Sequence, residues 1–139
     1  GDAAILKKFL LYRTYHGSAM NPAVQAASVA AWNDEAHVLD NRRLYAEKFS
    51  VVTPLIAPHL PCSIPDAGFY LWAKTPIADT DFARRLLEEK NVAVLPGSFL
   101  GRVAHGMNPG ENFIRIALVP DLADCLEAAQ RINDFCLTL

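Results

Sequence analysis

The stretch Asn112-Phe113-Ile114-Arg115-Ile116-Ala117-Leu118-Val119 decides the fold of this chain. Its residues are mostly β-branched or apolar, and Pro120 follows it directly, so it predicts a single β-strand. Side chains alternate across a strand, which places Ile114 and Ile116 on one side and Arg115 on the other. Because the neighbours on both sides are apolar, we expect the strand to be buried or nearly so.

Arg115 is a single cation among the apolar residues of this strand. An unpaired buried charge is unfavourable, so its guanidinium needs an anion or a route to water. One interpretation is a ligand site, because arginine can bind a carboxylate through two parallel hydrogen bonds. The other is structural: the side chain reaches the strand edge or pairs with an acid of the protein itself. The strand alone leaves both interpretations open.

Working outward from this strand, the second half of the sequence alternates strands and helices. Apolar runs predict strands over residues 68–74 and 92–95, and helical periodicity predicts helices over residues 79–90 and 121–136. The order β-α-β-β-α predicts a small, mainly antiparallel sheet with helices on one face, which is an α+β fold.

The first half of the sequence is helical in character. Residues 3–13, 23–32 and 35–52 each have an apolar or alanine-rich helical pattern. Four prolines then fall within residues 54–65 and oppose a long regular helix there. We therefore predict a boundary at this point, with a helical part over residues 1–53 and a small mixed domain over residues 54–139.

Composition excludes several classes of function. The 139 residues carry a formal net charge of -2, so no basic excess indicates nucleic-acid binding. No apolar run is long enough to span a bilayer, which gives no indication of a membrane protein. The three cysteines have no metal-ligand spacing, and free thiols in a reducing cytoplasm are the simplest account of them. We expect no metal site and a cytoplasmic protein.

The search for other catalytic patterns finds no credible Ser-His-Asp or Cys-His arrangement. The glycines after Gly97 do not form a phosphate-binding motif such as G-x-G-x-x-G. His105 is best explained as a loop residue, because loops carry polar residues freely. Phe99 is ambiguous: it could fill the core, or it could be an aromatic lid over a pocket.

Four segments together resemble a known family. They are the helix start at residues 21–27, the strand at residues 65–72, the Val94-Leu95-Pro96-Gly97-Ser98-Phe99 turn, and the Arg115 strand. In order and spacing they resemble the C-terminal part of class I/II aminotransferases of fold type I, which depend on pyridoxal phosphate. Within that family the resemblance is greatest to succinyldiaminopimelate aminotransferases, which serve bacterial lysine biosynthesis.

The resemblance implies roles for particular residues. The arginine at the position of Arg115 grips the α-carboxylate of the amino-acid substrate in this family, which favours the ligand interpretation. Phe99 and Gly68 match segments on the substrate side of the cleft. Tyr15 and Ser18 match a loop near the subunit interface and the neighbouring active site of a homodimer.

The resemblance also implies that the family's cofactor machinery precedes this chain. None of the five lysines matches the context of the cofactor-binding lysine, so we expect this chain to bind no pyridoxal phosphate covalently. It would then be an inactive C-terminal fragment of an enzyme that moves an amino group from an amino acid such as glutamate to a keto acid. The candidate keto acid is N-succinyl-2-amino-6-oxopimelate. The alternative is a non-catalytic binding or dimerisation module with the same fold.

Overall fold

The computed structural model describes residues 1–17 and 19–139, and its elements follow the predicted order. Three helices come first, and a mixed region follows. The elements are α1 (Ala3–Tyr15), α2 (Pro22–Asn33), α3 (Ala36–Ile56), β1 (Tyr70–Lys74), α4 (Asp79–Lys90), β2 (Leu95–Pro96), a short 3₁₀ helix (Gly97–Phe99), β3 (Phe113–Ala117) and α5 (Leu122–Cys136). The chain divides into two compact units, Gly1–Leu39 and Asp40–Leu139.

The helices of the first unit begin where local capping signals predict. The Asp2 carboxylate accepts hydrogen bonds from the backbone N–H groups of Ala4 and Ile5, at 2.9 and 3.0 Å. The Asn21 side chain caps α2 in the same way, and Pro22 occupies the first turn. Neither α1 nor α2 buries a side chain within the described residues. Across residues 1–17 and 19–139, no helix combines the length and apolar character needed to cross a membrane.

The second unit contains the predicted antiparallel sheet with helices packed on it. The strand order is β1-β3-β2, and β3 is antiparallel to both neighbours. One face of the sheet forms a single hydrophobic core with α3, α4 and α5. The residues that build this core include Leu71, Ala73, Ile114 and Ile116 from the sheet and Val52, Ile56, Phe82, Leu86, Ile132 and Phe135 from the helices. The predicted α+β class is thereby confirmed.

Three details differ from the sequence-based predictions. α3 continues through Pro54 to Ile56, because Val52 and Ile56 pack into the core and keep the last turn helical. The predicted strand at residues 92–95 is instead the two-residue β2 at Leu95–Pro96. Val92 and Val94 pack against the core without pairing to β3.

The third difference concerns the faces of β3. Ile114 and Ile116 are buried as expected, but Arg115 is only half-buried and Ala117 is exposed. The expectation that both faces would be buried was wrong, because the helices that build this core all pack against the face that carries Ile114 and Ile116. The predicted boundary after residue 53 stays a prediction, although Phe49 and Val52 belong to the core of the second unit.

Candidate functional site

The pairing of β3 fixes the direction in which Arg115 points. β3 is the central strand, and Arg115 lies opposite Trp72 on β1 and Leu95 on β2. A slip of one residue would move every β3 side chain to the other face of the sheet. Burial of Ile114 and Ile116 opposes such a slip, so the core itself holds Arg115 on the outer face.

The surroundings of Arg115 leave its guanidinium with unused hydrogen-bonding capacity. Its guanidinium carbon lies 5.6 Å from the centre of the Tyr70 ring, which is within cation–π range. Its Nε is buried and has no hydrogen-bond partner in the part of the chain that the structure describes. Within residues 1–17 and 19–139, no carboxylate lies within 4.0 Å of the guanidinium. A buried donor left unsatisfied costs about 1–3 kcal/mol, so a ligand oxygen here would be stabilising.

Aromatic rings share the outer face of the sheet with Arg115. Trp72 and Phe113 stack with their ring centres 5.5 Å apart and their planes 8° from parallel. Both are half-buried, as is Arg115 itself. Apolar rings beside a cation exclude water and strengthen its attraction for an anion. This face can therefore hold a small ligand that has a carboxylate and an apolar part.

A buried carboxylate, Asp79, lies at the start of α4 and is only 3% exposed. Its Oδ2 accepts a hydrogen bond from the Ser98 backbone N–H at 2.8 Å, and its Oδ1 accepts one from the Asn112 backbone N–H at 3.3 Å. Burial disfavours the charged form, but the hydrogen bonds from Ser98 and Asn112 outweigh burial and hold the pKa of the Asp79 carboxyl below its ordinary value. Asp79 thus ties the turn at Ser98 to the residue just before β3.

A second set of contacts closes the same loop. The Asn108 side-chain amide donates to the Ser98 carbonyl at 3.0 Å, and its oxygen accepts from the Gly110 N–H at 3.0 Å. Gly97 and Gly110 are both buried, and their backbones touch so closely that a Cβ on either would overlap the other. The loop between β2 and β3 is therefore anchored at its base by a side-chain carboxylate, a side-chain amide and a backbone contact.

The structure places the predicted site residues in different surroundings. Arg115 lines a cleft of about 560 Å³ beside residues 91–95 and α5. Gly68 lines a separate cleft of about 650 Å³ against α3, and Phe99 is 71% exposed on the 3₁₀ helix. Tyr15 belongs to the first unit and is 80% exposed, and Ser18 lies outside the described residues. Within unit Asp40–Leu139 the clefts described do not bring Arg115, Gly68 and Phe99 together.

The contacts of two residues of this region, Tyr70 and Asp79, were not predicted from the sequence. Tyr70 could have been found from strand alternation, because it shares a face with Trp72 two residues later. In the sequence, Asp79 can be recognised only as an acidic residue in the first turn of a predicted helix, where acidic residues are common. Its partners lie 19 and 33 residues away, and no local pattern indicates contacts at such separations.

The lysines do not form a cofactor site in the described chain. Lys48 is half-buried, and its Nζ donates to the carbonyls of Leu118, Val119 and Pro120, so its amine is already engaged. Lys7, Lys8 and Lys74 are exposed, and Lys90 is half-buried at the end of α4. These lysines do not fit pyridoxal phosphate, which the resembled family holds through a lysine. The outer face around Arg115 fits a carboxylate.

Comparison with known proteins decides the family. The family model described as "Aminotransferase class I and II" matches residues 10–132. The chain belongs to the class I and II aminotransferases. The matched residues 10–132 include all three strands of the sheet and Arg115, so the match to the aminotransferase family covers the candidate site.

Solved structures and curated relatives agree with this assignment. An aminotransferase from Neisseria meningitidis is 54% identical with a TM-score of 0.81, over 97% of this chain and 35% of that one. A probable N-succinyldiaminopimelate aminotransferase from Thermus thermophilus is 34% identical with a TM-score of 0.62, over 73% of this chain and 26% of that one. The LL-diaminopimelate aminotransferase of Maridesulfovibrio salexigens is 34% identical over 96% of this chain and 34% of its own length. This aminotransferase chain therefore spans about a third of the length of the relatives it matches.

Proposed function

We propose that this chain is the C-terminal part of a pyridoxal-phosphate-dependent aminotransferase, in which Arg115 binds the α-carboxylate of the amino-acid substrate. The observation that carries this proposal is the state of the Arg115 guanidinium. Its Nε is buried without a partner, and no carboxylate of the described chain lies within 4.0 Å of it. A substrate carboxylate would supply both the missing charge and the missing acceptors.

The outer face of the sheet suits this role. The planar guanidinium can donate two parallel hydrogen bonds, which fix the orientation of a carboxylate as well as its position. The Tyr70 ring lies against the guanidinium, and the stacked Trp72 and Phe113 rings lie on the same side of the sheet. In the proposed site these rings keep water from the ion pair. Phe99 and the backbone at Gly68 lie in surroundings separate from Arg115 in this chain, so we propose that they contact the rest of the substrate where the remaining part of the full-length enzyme completes the cleft. Tyr15 and Ser18 would approach the neighbouring site of a homodimer.

The substrates are proposed from the relatives. The similar proteins include an LL-diaminopimelate aminotransferase, a probable N-succinyldiaminopimelate aminotransferase and an aspartate aminotransferase from Rhizobium meliloti. We propose glutamate as the amino donor and N-succinyl-2-amino-6-oxopimelate as the acceptor, in lysine biosynthesis. Each has an α-carboxylate that Arg115 can bind, which is the feature shared by both half-reactions.

The cofactor would be held by residues outside this chain, since its own lysines do not fit that task. When bound, pyridoxal phosphate supplies an electron sink for the reaction. This chain would contribute substrate orientation and would be inactive alone. Pyridoxal phosphate added to the purified 139-residue chain should produce no stoichiometric change in its absorbance. A stoichiometric band that disappears on replacing one lysine would contradict this part of the proposal.

The role of Arg115 can be tested in the full-length enzyme with substrates that differ only in the α-carboxylate. Glutamate and γ-aminobutyrate form such a pair, and single-turnover measurements allow even slow reactions to be compared. Truncating one partner of a desolvated charge pair costs about 2–5 kcal/mol, so Arg115→Ala should lower kcat/KM for glutamate by about 30-fold to several thousand-fold. Arg115→Lys should also weaken turnover, because it keeps the charge but loses the planar pair of donors.

The control is Arg84→Ala. Arg84 is 57% exposed on α4 and pairs with Glu88 on the same helix, so its removal should leave kinetics unchanged. In Arg115→Ala the reaction with γ-aminobutyrate should change little. A folded, cofactor-loaded Arg115→Ala enzyme with normal efficiency for glutamate would remove Arg115 from the substrate site.

A further inference from the structure

Asp79 is a buried carboxylate to which the proposed activity gives no role. Both of its oxygens are used, and both accept from backbone N–H groups of distant segments, those of Ser98 and Asn112. Ser98 lies within the 3₁₀ helix and Asn112 immediately precedes β3, so these two residues bracket the loop of residues 99–111. A single side chain therefore holds both ends of this loop.

Each end leads directly into a residue of the proposed site. Ser98 precedes Phe99 in the 3₁₀ helix, and Asn112 immediately precedes β3, which carries Arg115. The turn at Ser98 and the start of β3 thus share one anchor on α4.

The backbone at Asn112 makes the anchor at β3 specific. Its φ is 61°, in the left-handed region that asparagine tolerates better than most residues. Its N–H is held by Asp79, and its carbonyl accepts from the Thr75 N–H at 2.9 Å. The backbone N–H and carbonyl of Asn112 are thus both held by residues outside the loop, Asp79 and Thr75. These two hydrogen bonds fix the residue at which β3 begins, and hence the register of β3 in the sheet.

We propose that Asp79 is a positioning residue for the carboxylate site, whose two backbone hydrogen bonds hold the start of β3 and the Ser98 turn so that Arg115 and Phe99 are preset for the substrate. This inference rests on the proposed role of Arg115. A displacement of about 1 Å in a positioned group can reduce turnover by about 100-fold, so a remote anchor can control the site without touching the substrate.

The test is Asp79→Asn in the full-length enzyme, with Asp81→Asn as its control. Asparagine keeps the size of the side chain but can offer only one acceptor oxygen, so one of the two backbone N–H groups loses its partner. Asp81 lies two residues further along the same helix, is 62% exposed and contacts only Arg84 among the ion pairs described. The readout is the ratio of kcat/KM for glutamate to that for γ-aminobutyrate, together with hydrogen exchange of the peptide covering residues 98–112.

Asp79→Asn should lower this ratio by about 10- to 100-fold, raise KM for glutamate and speed exchange in residues 98–112. Asp81→Asn should change none of these. General damage to the fold would lower both efficiencies equally and leave the ratio unchanged, and that result would overturn the inference. If Asp79→Asn does not fold, Asp79→Glu keeps the charge but displaces both oxygens, and it should lower the ratio by a smaller factor; an unchanged ratio there would also overturn it.

The failure of this inference can be told apart from failure of the proposed function. If Arg115→Ala lowers the ratio and the Asp79 variants do not, Asp79 has no positioning role. If Arg115→Ala itself leaves the ratio unchanged, the carboxylate site is elsewhere. The double variant Asp79→Asn/Arg115→Ala should lower the ratio no further than Arg115→Ala alone, because Asp79 acts through Arg115.

Discussion

Replacing Gly110 by alanine should destabilise the protein more than replacing Gly106, although both glycines lie in the loop before β3. The two positions need glycine for different reasons: Gly110 has no space for a side chain, and Gly106 has a positive φ. A Cβ on Gly110 would lie 2.0 Å from the Gly97 carbonyl oxygen, while its backbone does not adopt a positive φ. A Cβ on Gly106 would meet no atom within 4 Å, but its φ is +78°.

The magnitudes follow from these geometries. A Cβ atom is essentially never found closer than 3.0 Å to another heavy atom. The Gly97 and Gly110 backbones would therefore have to move apart until the distance from the new Cβ to the Gly97 carbonyl oxygen rises from 2.0 Å to at least 3.0 Å. Overpacking typically costs about 1–3 kcal/mol. Here both partners are backbone segments anchored by Asp79 and Asn108, which favours the upper end of that range.

Gly106→Ala should cost less. A left-handed conformation costs a non-glycine residue about 1–2 kcal/mol, and alanine recovers about 0.4–1 kcal/mol by restricting the unfolded chain. The net destabilisation is about 1 kcal/mol. With the upper end of about 3 kcal/mol for Gly110→Ala, the two variants differ by about 2 kcal/mol. A domain of about 100 residues, such as the unit Asp40–Leu139, loses about 4–8 °C in melting temperature per kcal/mol, so Gly110→Ala should melt at least about 8 °C below Gly106→Ala.

Urea unfolding followed by circular dichroism would measure the free energy of unfolding for the parent protein and both variants. Hydrogen exchange would then locate the change, which should be confined to residues 97–113 in Gly110→Ala. A Gly110→Ala protein as stable as the parent, or less perturbed than Gly106→Ala, would show that the close approach of Gly97 and Gly110 does not persist in solution.

Three further predictions concern acid sensitivity, thiol reactivity and core packing. The pKa of Asp79 in the folded protein lies below its ordinary value of 3.8. The ionised carboxylate therefore contributes its full stabilisation above pH 3.8, and this contribution is lost as the pH falls through the folded pKa. The urea midpoint should fall more steeply below pH 3.8 in the parent protein than in Asp79→Asn. Burial raises the pKa of the Cys136 thiol from 9.0 to about 11, so its alkylation at pH 8 should be about 100-fold slower in the folded than in the urea-unfolded protein, as mass spectrometry of its peptide can measure. The Phe82 and Phe135 rings meet edge to face with centres 5.1 Å apart, so a double-mutant cycle with Phe82→Leu and Phe135→Leu should give a coupling free energy of about 0.5–1.5 kcal/mol, and a coupling near zero would refute a specific ring contact.

Local signals account for the part of the fold that the sequence predicts well. The Asp121 carboxylate accepts from the Asp124 N–H at the start of α5, as the cap pattern indicates. α4 occupies the predicted residues, and Asn91 ends it in the left-handed conformation. Each of these features depends on residues within one helical turn of one another, which is why sequence alone is sufficient.

The errors arise where distant packing overrides local preference. Pro54 lacks an N–H and should end a helix, yet α3 continues past it because Val52 and Ile56 reach the core. Val92 and Val94 have strong strand propensity, yet they pack against the core without joining the sheet. In each case the deciding partner lies on another element, and its position is not encoded nearby.

The same distinction explains how much of the candidate site was predictable. Arg115 is conspicuous because a cation interrupts an apolar strand, but whether an acid of the protein neutralises it depends on residues far away in the chain. Only the structure shows Tyr70 against its guanidinium and no carboxylate of the described residues within 4.0 Å. The sequence could identify the residue, and the tertiary contacts add that its Nε is buried without a partner in the described chain, which favours the proposed ligand role.

The fold and the proposed site are coupled through the alternation of β3. Ile114 and Ile116 are in the core because they occupy alternate positions, and that same alternation puts Arg115 on the outer face. A substitution that shifts the register would therefore bury an uncompensated guanidinium while exposing two isoleucines, and both changes are unfavourable. The energy that stabilises the core thus also holds Arg115 on the outer face, where the proposed carboxylate would bind, so no local partner is needed to orient its unsatisfied donor.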